Sequence, residues 1–406
     1  MSGPEHVDRA GERAPGEELV THPTSGPRRV QSIAATIAEL RGEFARPHRA
    51  GWDFDGFKVV LDTNAPALIT ELQGYFEGFR TLEGAALDDA EATRITAIEA
   101  VPPNLGAEAM MRIGEYKPSV KGPKEASIDL DDGRVVHKLR TGMWFLFGAE
   151  HLAIGPCLAN PNQVINFINN RMIQWSLAGG SLLGHASAVA LRDPSAAEGA
   201  WPRVIAIAAF SGMGKSTLAL NLMNDRRLDF LSNDRIMIRP RTAEQRAAGV
   251  APVIEGVPKH PRINPGTILN NAALGPILTQ EERQRFSALP IDELWQLEHK
   301  FDGCIPQCFP GQRFWLHGEL AGVVLLNWRR DGSPTRPQRV DVAERRDLLP
   351  ALMKAPGAFY LESPGQAPSR EQDAYIEALA GVPVLELAGG IDFERGRNAA
   401  LELLGL

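Results

Sequence analysis

One segment, residues 203–225, constrains the fold of this chain more than any other. It reads as an apolar strand (RVIAIAAF), a glycine-rich turn (SGMG) and a helix (KSTLALNLMND), and a second strand (DFLSNDRIMI) follows over residues 229–238. This order forms a β-α-β unit whose turn lies at the carboxyl end of the first strand, where open α/β sheets bind ligands. The segment therefore predicts an α/β fold with a ligand site at the turn.

The turn fits the phosphate-binding pattern G-x-x-x-x-G-K-[ST] at every defined position except the first, where Ala209 replaces glycine. In such a loop the backbone N–H groups and the start of the helix point at phosphates. Glycines permit the close approach, the lysine neutralises phosphate oxygens, and the first hydroxyl of the helix can bind Mg²⁺. The residues predicted to bind a nucleotide or another polyphosphate are Ser211, Gly212, Met213, Gly214, Lys215, Ser216 and Thr217.

Three other site types use similar letters and fit less well. A dinucleotide-binding fingerprint needs a third glycine where Thr217 stands, and a nucleophile elbow needs a glycine before the serine that Phe210–Gly212 lacks. An ATPase of the ABC type needs an acidic pair at the end of a later strand, but the strand at residues 321–328 ends in Asn327 and Trp328. A chance match of the glycine turn is the remaining alternative, and the flanking strand and helix argue against it.

Composition excludes several other classes. The 406 residues carry a net charge of −7 at pH 7, whereas a general nucleic-acid binder is expected to be basic. No stretch reaches the ~18 consecutive apolar residues of a membrane span, and residues 1–29 have no apolar core of a signal peptide. Three cysteines are too few for a disulfide framework. We therefore expect a cytoplasmic protein that binds neither nucleic acid nor membrane.

The chain is predicted to have three parts: a disordered lead at residues 1–29, an α+β region at 30–154, and an α/β domain at 155–406 that contains the glycine turn. In the second part, antiparallel hairpins are expected over residues 126–155, with Trp144, Phe145 and Phe147 in the core rather than on a docking face. In the third, residues 181–191 are expected to form one strand and residues 342–353 a helix.

Three short stretches resemble the catalytic domain of HPr kinase/phosphorylase. They are the sequence GHASAVA from Gly184, the sequence FSGMGKST at the glycine loop, and the sequence LSNDRIMI from Leu231. Within that family the chain is most similar to the HPr kinase-related kinases, and the resemblance spans residues ~180–240 with a fainter likeness over 259–270. The resemblance implies a P-loop kinase core of the HPr kinase/phosphoenolpyruvate carboxykinase-like type, with ATP and Mg²⁺ as cofactors.

The resemblance also implies roles for residues outside the loop. In the family, the strand after the loop helix ends in two acids, one near the metal and one near the incoming hydroxyl; here the pair is Asn233 and Asp234. Ser216 and Asp234 are the expected Mg²⁺ ligands. Asn233 can orient but cannot accept a proton, so His185, which matches the family's histidine, is the expected helper for the hydroxyl proton.

Each catalytic candidate has a purely structural alternative. The predicted catalytic residues are Lys215, Asp234, His185 and Arg262; Arg262 lies in a basic loop and would steady charge on the transferred phosphate. Alternatively, His185 is a core histidine, Asp234 pairs with Arg235 or Arg239, and Arg262 lies in a solvated turn. A zinc site built on Cys304, Cys308 and His317, with Cys157 or His299 as fourth ligand, is less favoured than incidental thiols.

Together these observations predict an ATP- and Mg²⁺-dependent kinase that phosphorylates a hydroxyl, with a serine on a partner protein favoured as the acceptor. One alternative is a small-molecule hydroxyl kinase with the same site, which predicts a narrow, closed pocket near Arg262. A second is a nucleotide-sensing protein without turnover, because one acid of the pair is missing. Several members of the resembling family are oligomers, so a homo-oligomer and a monomer both remain open.

Overall fold

A computed structural model describes residues 30–106, 111–113, 122–193, 195, 197, 199–210, 212–297, 299–362, 369 and 371–406. The predicted lead at 1–29 and the predicted loop residue Ser211 lie outside the described residues. The chain divides into two compact units, Met1–Gln174 with Gly357–Leu361, and Trp175–Pro356 with Glu362–Leu406. Both units mix helices with a large sheet, so the fold is α/β in the broad sense.

The first unit is built on a nine-stranded mixed sheet in the order β3-β1-β2-β4-β9-β8-β7-β6-β5. Its elements are α1 (Ile33–Glu43), β1 (His48–Phe54), β2 (Phe57–Thr63), α2 (Pro66–Tyr75), β3 (Arg80–Leu82), a 3-10 helix (Gly84–Asp88), β4 (Thr93–Glu99), β5 (Arg112–Ile113), β6 (Ala126–Leu130), β7 (Gly133–Lys138), β8 (Met143–Gly148), β9 (His151–Gly155) and α3 (Pro161–Ala178). Strand β2 is parallel to β4 and β4 to β9, and the hairpins predicted over residues 126–155 are confirmed as β6 to β9.

The aromatic residues of β8 lie in the core of this unit, as predicted. Trp144, Phe145 and Phe147 are at most 1% exposed. Phe167 of α3 packs on Phe145 with ring centroids 5.0 Å apart, and Phe359 packs on it from the late segment 357–361 at 5.2 Å. These contacts group most of α3 with the first unit, so the two units divide between Gln174 and Trp175 rather than at the sequence-based boundary between residues 154 and 155.

The second unit contains the predicted glycine turn. Its elements are β10 (Leu182–Gly184), β11 (Ala186–Leu191), β12 (Arg203–Ala209), α4 (Lys215–Leu222), β13 (Leu228–Ser232), β14 (Ile236–Arg239), α5 (Ala243–Ala247), β15 (Val253–Glu255), β16 (Arg262–Ile263), α6 (Pro265–Leu269), a 3-10 helix (Ala272–Ile277), α7 (Gln280–Ser287), α8 (Ile291–Gln296), β17 (Phe301–Asp302), α9 (Ile305–Cys308), β18 (His317–Arg329), β19 (Arg336–Arg339), a 3-10 helix (Arg346–Ala351), α10 (Gln372–Leu379), β20 (Val384–Gly390) and α11 (Phe393–Leu404).

The large sheet of this unit follows the order β10-β14-β15-β18-β12-β11-β13, with β20 on β18 and β19 on β20. Strands β12, β18 and β20 run parallel, with Ala209 opposite Leu326 and Trp328 opposite Gly389. Their carboxyl ends therefore meet at one edge of the sheet, where α4 and α11 begin. The remaining ladders that link neighbouring strands are antiparallel.

Two strands that the sequence predicts as continuous are interrupted, and at matching places. Residues 181–191 form β10 and β11 with a break at His185, and residues 229–238 form β13 and β14 with a break at 233–235. Leu182 lies opposite Ile238 and Ala188 opposite Ser232, so the antiparallel register is the same on the two sides of the break, and it shifts by one residue between Ala188 and Val189. Asp234 adopts φ 74°, a left-handed conformation that an extended strand cannot contain.

The helix predicted over residues 342–353 is also corrected. Only Arg346–Ala351 is helical, as a 3-10 helix, because Pro350 lies inside it and cannot donate a backbone hydrogen bond. The chain then pairs with β10: Gly184 and Met353 form an antiparallel bridge, and the N–H of Lys354 donates to Leu183 O at 3.2 Å. This short bridge brings residues 352–354 to the break at His185.

No helix in the described part of the chain is long and apolar enough to cross a membrane.

The core of the second unit is expected to depend on the contact between β20 and α11. Leu387 is fully buried, and its Cδ1 lies 3.1 Å from where a Cβ on Gly396 of α11 would stand. Leu387→Ala should therefore lower the free energy of unfolding by about 2–5 kcal/mol, measured by chemical denaturation with tryptophan fluorescence. The control Leu406→Ala, at a residue 37% exposed, should change it by less than about 0.5 kcal/mol; equal losses for the two variants would contradict this packing.

Candidate functional site

The glycine turn connects β12 directly to α4, as the sequence predicts. Gly212 and Gly214 adopt φ values of 80° and 93°, and α4 begins at Lys215. A Cβ on Gly214 would lie 2.9 Å from the ring of Phe393, whereas one on Gly212 would meet nothing within 4 Å. Gly214 therefore allows α11 to pack beneath the turn, and the side of Gly212 is open to a ligand. Met213 packs against the core instead.

Lys215 is a buried cation at the start of α4. Only 8% of the residue is exposed, and Nζ donates to the carbonyl of Ala209 at 3.2 Å. Burial lowers the pKa of Lys215 to about 8, Asp234 raises it, and Lys354 and Lys300 lower it further. Within the described residues no carboxylate lies within ion-pair distance of this ammonium group. Buried charges are normally paired, so Lys215 is suited to receive an anion.

The hydroxyl groups of α4 have different partners. Ser216 Oγ donates to Asn233 Oδ1 at 2.6 Å, and Ser187 Oγ donates to the same oxygen at 2.8 Å. Thr217 Oγ1 lies 2.7 Å from Thr267 Oγ1 of α6, so this hydroxyl connects two helices, and its contact with a phosphate stays a prediction. Ser216 and Asn233 therefore form one cluster of oxygen atoms beside the turn.

His185 and Asp234 meet across the break in the antiparallel pair. His185 Nε2 lies 2.9 Å from Asp234 Oδ1, while the backbone N–H of His185 donates to Leu352 O at 2.6 Å. Asp234 Oδ2 lies 3.4 Å from Arg235 Nε. Asp234 thus pairs with Arg235, one of the two arginines that the structural alternative named. The other, Arg239, pairs with Glu255. The contacts of Asp234 with His185 and Arg235 leave it accessible to solvent: its side chain is 51% exposed.

The charge of Asp234 is strongly stabilised. Burial raises the pKa of this carboxyl group, but the hydrogen bond from His185 and the positive charges of Lys354 and Arg235 lower it well below the usual value. Asp234 therefore remains ionised at any physiological pH and is a weak base. A carboxylate in this state is better suited to bind a cation or to orient His185 than to take a proton itself.

Lys354 is a member of the site that sequence reasoning missed. Its Nζ lies 3.8 Å from Asp234 Oδ2, its side chain is 23% exposed, and burial lowers its pKa. The residue belongs to no motif, and the bridge between Met353 and Gly184 that positions it joins residues far apart in sequence. Only the tertiary pairing could have revealed it.

Arg262 lies at the periphery of this cluster. Strand β16 pairs with β17, and Arg262 Nε is 3.4 Å from Asp302 Oδ1. Arg262 Nη2 also donates to the carbonyl of Lys300 at 3.3 Å, and the side chain is 53% exposed. Contact between Arg262 and a phosphate stays a prediction. The nearby Lys259, which the sequence analysis did not assign, interacts electrostatically with Arg235, Asp234 and Arg262.

The donor set is compatible with nucleotide and magnesium. Ser216 offers a hydroxyl oxygen, Asn233 an amide oxygen and Asp234 a carboxylate, which are the hard oxygen ligands that Mg²⁺ accepts. Lys215 offers a buried positive charge to a phosphate. The zinc hypothesis has no such support: His317 lies 3.7 Å from Glu255 and stacks on Trp201, and no group of three or more His, Cys, Asp and Glu residues suited to a metal occurs among the described positions.

The electrostatics predict an unusual titration of the lysines. The Cε NMR signals of Lys215 and Lys259 should titrate near pH 8, because burial lowers the pKa of both. Asp234→Asn should lower both pKa values further, since the lost negative charge had stabilised the ammonium form. Lys58, whose pKa its bond to Asp89 raises, serves as the control and should not change. Unchanged Lys215 and Lys259 titrations in Asp234→Asn would contradict the described geometry.

Comparison with known proteins finds a distant similarity to a solved structure. No family model matches the chain, and no curated protein matches it. Among solved structures, the Hpr(Ser) kinase/phosphatase from Coxiella burnetii is similar, with 12% sequence identity, a TM-score of 0.25, and coverage of 55% of this chain and 93% of that one. At these values the similarity is distant.

Proposed function

We propose that this protein is a phosphotransferase that moves the γ-phosphoryl group of ATP to a hydroxyl, with a protein serine as the favoured acceptor. The observation that carries the proposal is the position of Lys215 in the glycine turn: it is buried, has no carboxylate within ion-pair distance among the described residues, and interacts electrostatically with Asp234, which is paired with His185. A phosphate-binding cation and a group able to handle a hydroxyl proton are the two protein components that phosphoryl transfer needs.

The glycine turn and Lys215 would hold the phosphates. Gly212 and Gly214 leave the backbone N–H groups of the turn close to the start of α4, where a helix favours anions. Lys215 would exchange its bond to the Ala209 carbonyl for a phosphate oxygen. Its buried ammonium group gains more from an anion than a solvated lysine would, because the surrounding dielectric is low.

Magnesium would be held by Ser216 and Asp234, with Asn233 beside them. When bound, this ion supplies positive charge that offsets the phosphate oxygens. Asn233 Oδ1 already accepts hydrogen bonds from Ser216 and Ser187, so it fixes the Ser216 hydroxyl at the start of α4. Asn233 thus has an orienting role in place of the second acid.

His185 would take the proton of the acceptor hydroxyl. The hydroxyl oxygen forms a bond to the γ-phosphorus, the bond from that phosphorus to the bridging oxygen breaks, and ADP leaves with the electron pair. The proton passes to the Nδ1 atom of His185, while Asp234 Oδ1 holds Nε2–H and stabilises the imidazolium. This division of roles follows from the weak basicity of Asp234.

Exposure of the site favours a protein acceptor over a small molecule. The side chains of Asp234 and Arg262 are 51% and 53% exposed. A small-molecule kinase would be expected to enclose these groups in order to exclude water. One observation favours the nucleotide-sensing alternative: Asn233 stands where the resembling family has an acid, and two serines engage its side-chain oxygen.

Removal of Lys215 tests the proposal. Purified wild-type protein with Mg²⁺ and γ-labelled ATP should transfer label to a protein in a lysate of the source cells, whereas Lys215→Met should reduce the rate by about 100-fold or more. Lys58→Met, at a surface lysine paired with Asp89, is the control and should retain full activity. Label on a metabolite instead of a protein would support the small-molecule alternative, and tight ATP binding without any transfer would support the sensor.

Replacement of the acid–base pair gives a second test. His185→Gln and Asp234→Asn should each lower kcat by about 100-fold, the usual contribution of a positioned proton acceptor. His185→Gln should also leave the affinity for ATP nearly unchanged, because His185 is assigned to the hydroxyl and not to the phosphates. Equal loss of ATP affinity and kcat in His185→Gln would show that the histidine only supports the fold.

A further inference from the structure

The candidate site contains more positive charge than phosphate binding at the glycine turn requires. Electrostatic interactions connect Asp234 or Asp302 with five cations: Lys215, Arg235, Lys259, Arg262 and Lys354. Lys300 is a sixth, because its charge acts on Lys215 and its carbonyl accepts a hydrogen bond from Arg262. The whole chain has a net charge of −7, so this basic group, which we call the cationic face, is a local exception. Lys215 serves the glycine turn, and the other five cations come from four separate segments.

Lys259 is the best-defined cation of this face. Its loop is held at both ends: Gly256 N–H donates to Leu316 O at 2.8 Å, and Gly303 N–H donates to Pro261 O at 2.9 Å. A Cβ on Gly256 would lie 2.4 Å from Leu231 O, so the loop packs tightly on the end of β13. The backbone N–H of Lys259 itself donates to Val257 O at 2.7 Å. Lys259 is therefore positioned by its backbone rather than by a partner for its charge.

The ammonium group of Lys259 has no carboxylate within ion-pair distance among the described residues. The side chain is partly buried; burial and the charges of Arg235 and Arg262 lower its pKa to about 8, and the carboxylates of Asp234 and Asp302, beyond ion-pair distance, offset this only in part. Holding a cation partly out of water beside two arginines is unfavourable unless an anion binds there. Lys354 and Arg235 both pair with the carboxylate of Asp234, so one negative charge is divided between two cations.

We propose that the serine phosphorylated by this protein lies in an acidic segment, whose Asp and Glu side chains bind the cationic face through Lys259, Arg235 and Arg262. This inference rests on the proposed function and specifies its acceptor. Arg262 and Arg235 are 53% and 30% exposed, so they can be reached by side chains of an extended chain. Complementary charge chiefly sets specificity and the rate of encounter.

The spread of the cations favours a peptide segment over a small anion. Arg235 follows β13, Lys259 lies in the loop before β16, Lys300 precedes β17, and Lys354 lies beyond the last 3-10 helix. A single carboxylate can contact few of these groups at once. A chain with several acidic side chains near one serine can contact more of them while its hydroxyl approaches His185.

The test compares binding and phosphorylation of three synthetic peptides of equal length. Each has one serine, flanked by Asp and Glu, by Ala and Gln, or by Lys and Arg. With full-length protein, fluorescence anisotropy should show the acidic peptide bound at least about tenfold more tightly than the neutral one. Higher ionic strength should reduce this preference, because exposed charges are screened.

Variants of Lys259 test whether the preference for the acidic peptide depends on the cationic face. Lys259→Met should lower affinity for the acidic peptide about tenfold, and Lys259→Glu should remove the preference for it altogether. Lys58→Met removes one positive charge elsewhere and should leave the preference unchanged. Circular dichroism of each variant checks that the fold is intact.

The outcomes separate this inference from the proposed function. Phosphorylation of all three peptides with equal kcat/KM would overturn the acidic acceptor and leave the kinase proposal standing. Lys259-dependent binding of the acidic peptide without phosphorylation would support the acidic surface and overturn the kinase proposal. Binding of single-stranded RNA as tight as that of the acidic peptide, and equally sensitive to Lys259→Met, would overturn the assignment to a protein segment.

Discussion

The antiparallel pairing of residues 182–191 with residues 228–238 is the constraint on which the candidate site depends. The register is the same on the two sides of the break, and the pairing opens where Asp234 takes a left-handed conformation opposite His185. The opened backbone lets the two side chains turn toward each other at 2.9 Å. The strand that follows the break also supplies the edge on which β15 and then β18 assemble, so the site and the sheet form together. A continuous ladder would have placed both residues in the sheet and removed the site.

Local features of the fold could be predicted from the sequence, and long-range features could not. The glycine turn and the start of α4 depend on local sequence, because Gly212, Gly214 and the preceding strand determine the backbone within a few residues of themselves. His185 and Asp234 were recognisable from short motifs. Lys354 was not, since its position depends on a bridge between Gly184 and Met353. Similarly, the break in each long strand depends on its partner strand, and an apolar pattern alone predicts uninterrupted strands.

The placement of charge in the second unit shows a balance between stability and function. Lys215 and Lys259 are partly or fully buried without a carboxylate within ion-pair distance in the described part of the chain, and their lowered pKa values, about 8, reflect that cost. Two buried carboxylates outside the site do have partners of opposite charge. Asp229 is bound by Arg192 and Trp315, and Glu386 is bound by Arg345 and Asn327. Buried carboxylates with partners thus lie within the sheet, whereas the buried lysines without a carboxylate partner lie where a ligand is expected.

The segment Gly357–Leu361 has a consequence for the synthesis of the protein. Phe359 packs on Phe145 and Phe167, the side chain of Gln174 exchanges hydrogen bonds with the backbone of Leu361, and Arg134 donates to the carbonyls of Ala358 and Tyr360. The amino-terminal unit therefore lacks part of its aromatic core until residue 361 of 406 has left the ribosome. Domains usually fold in order as they emerge during translation. Here the first unit to emerge must wait, with exposed apolar surface, until most of the second unit has been translated.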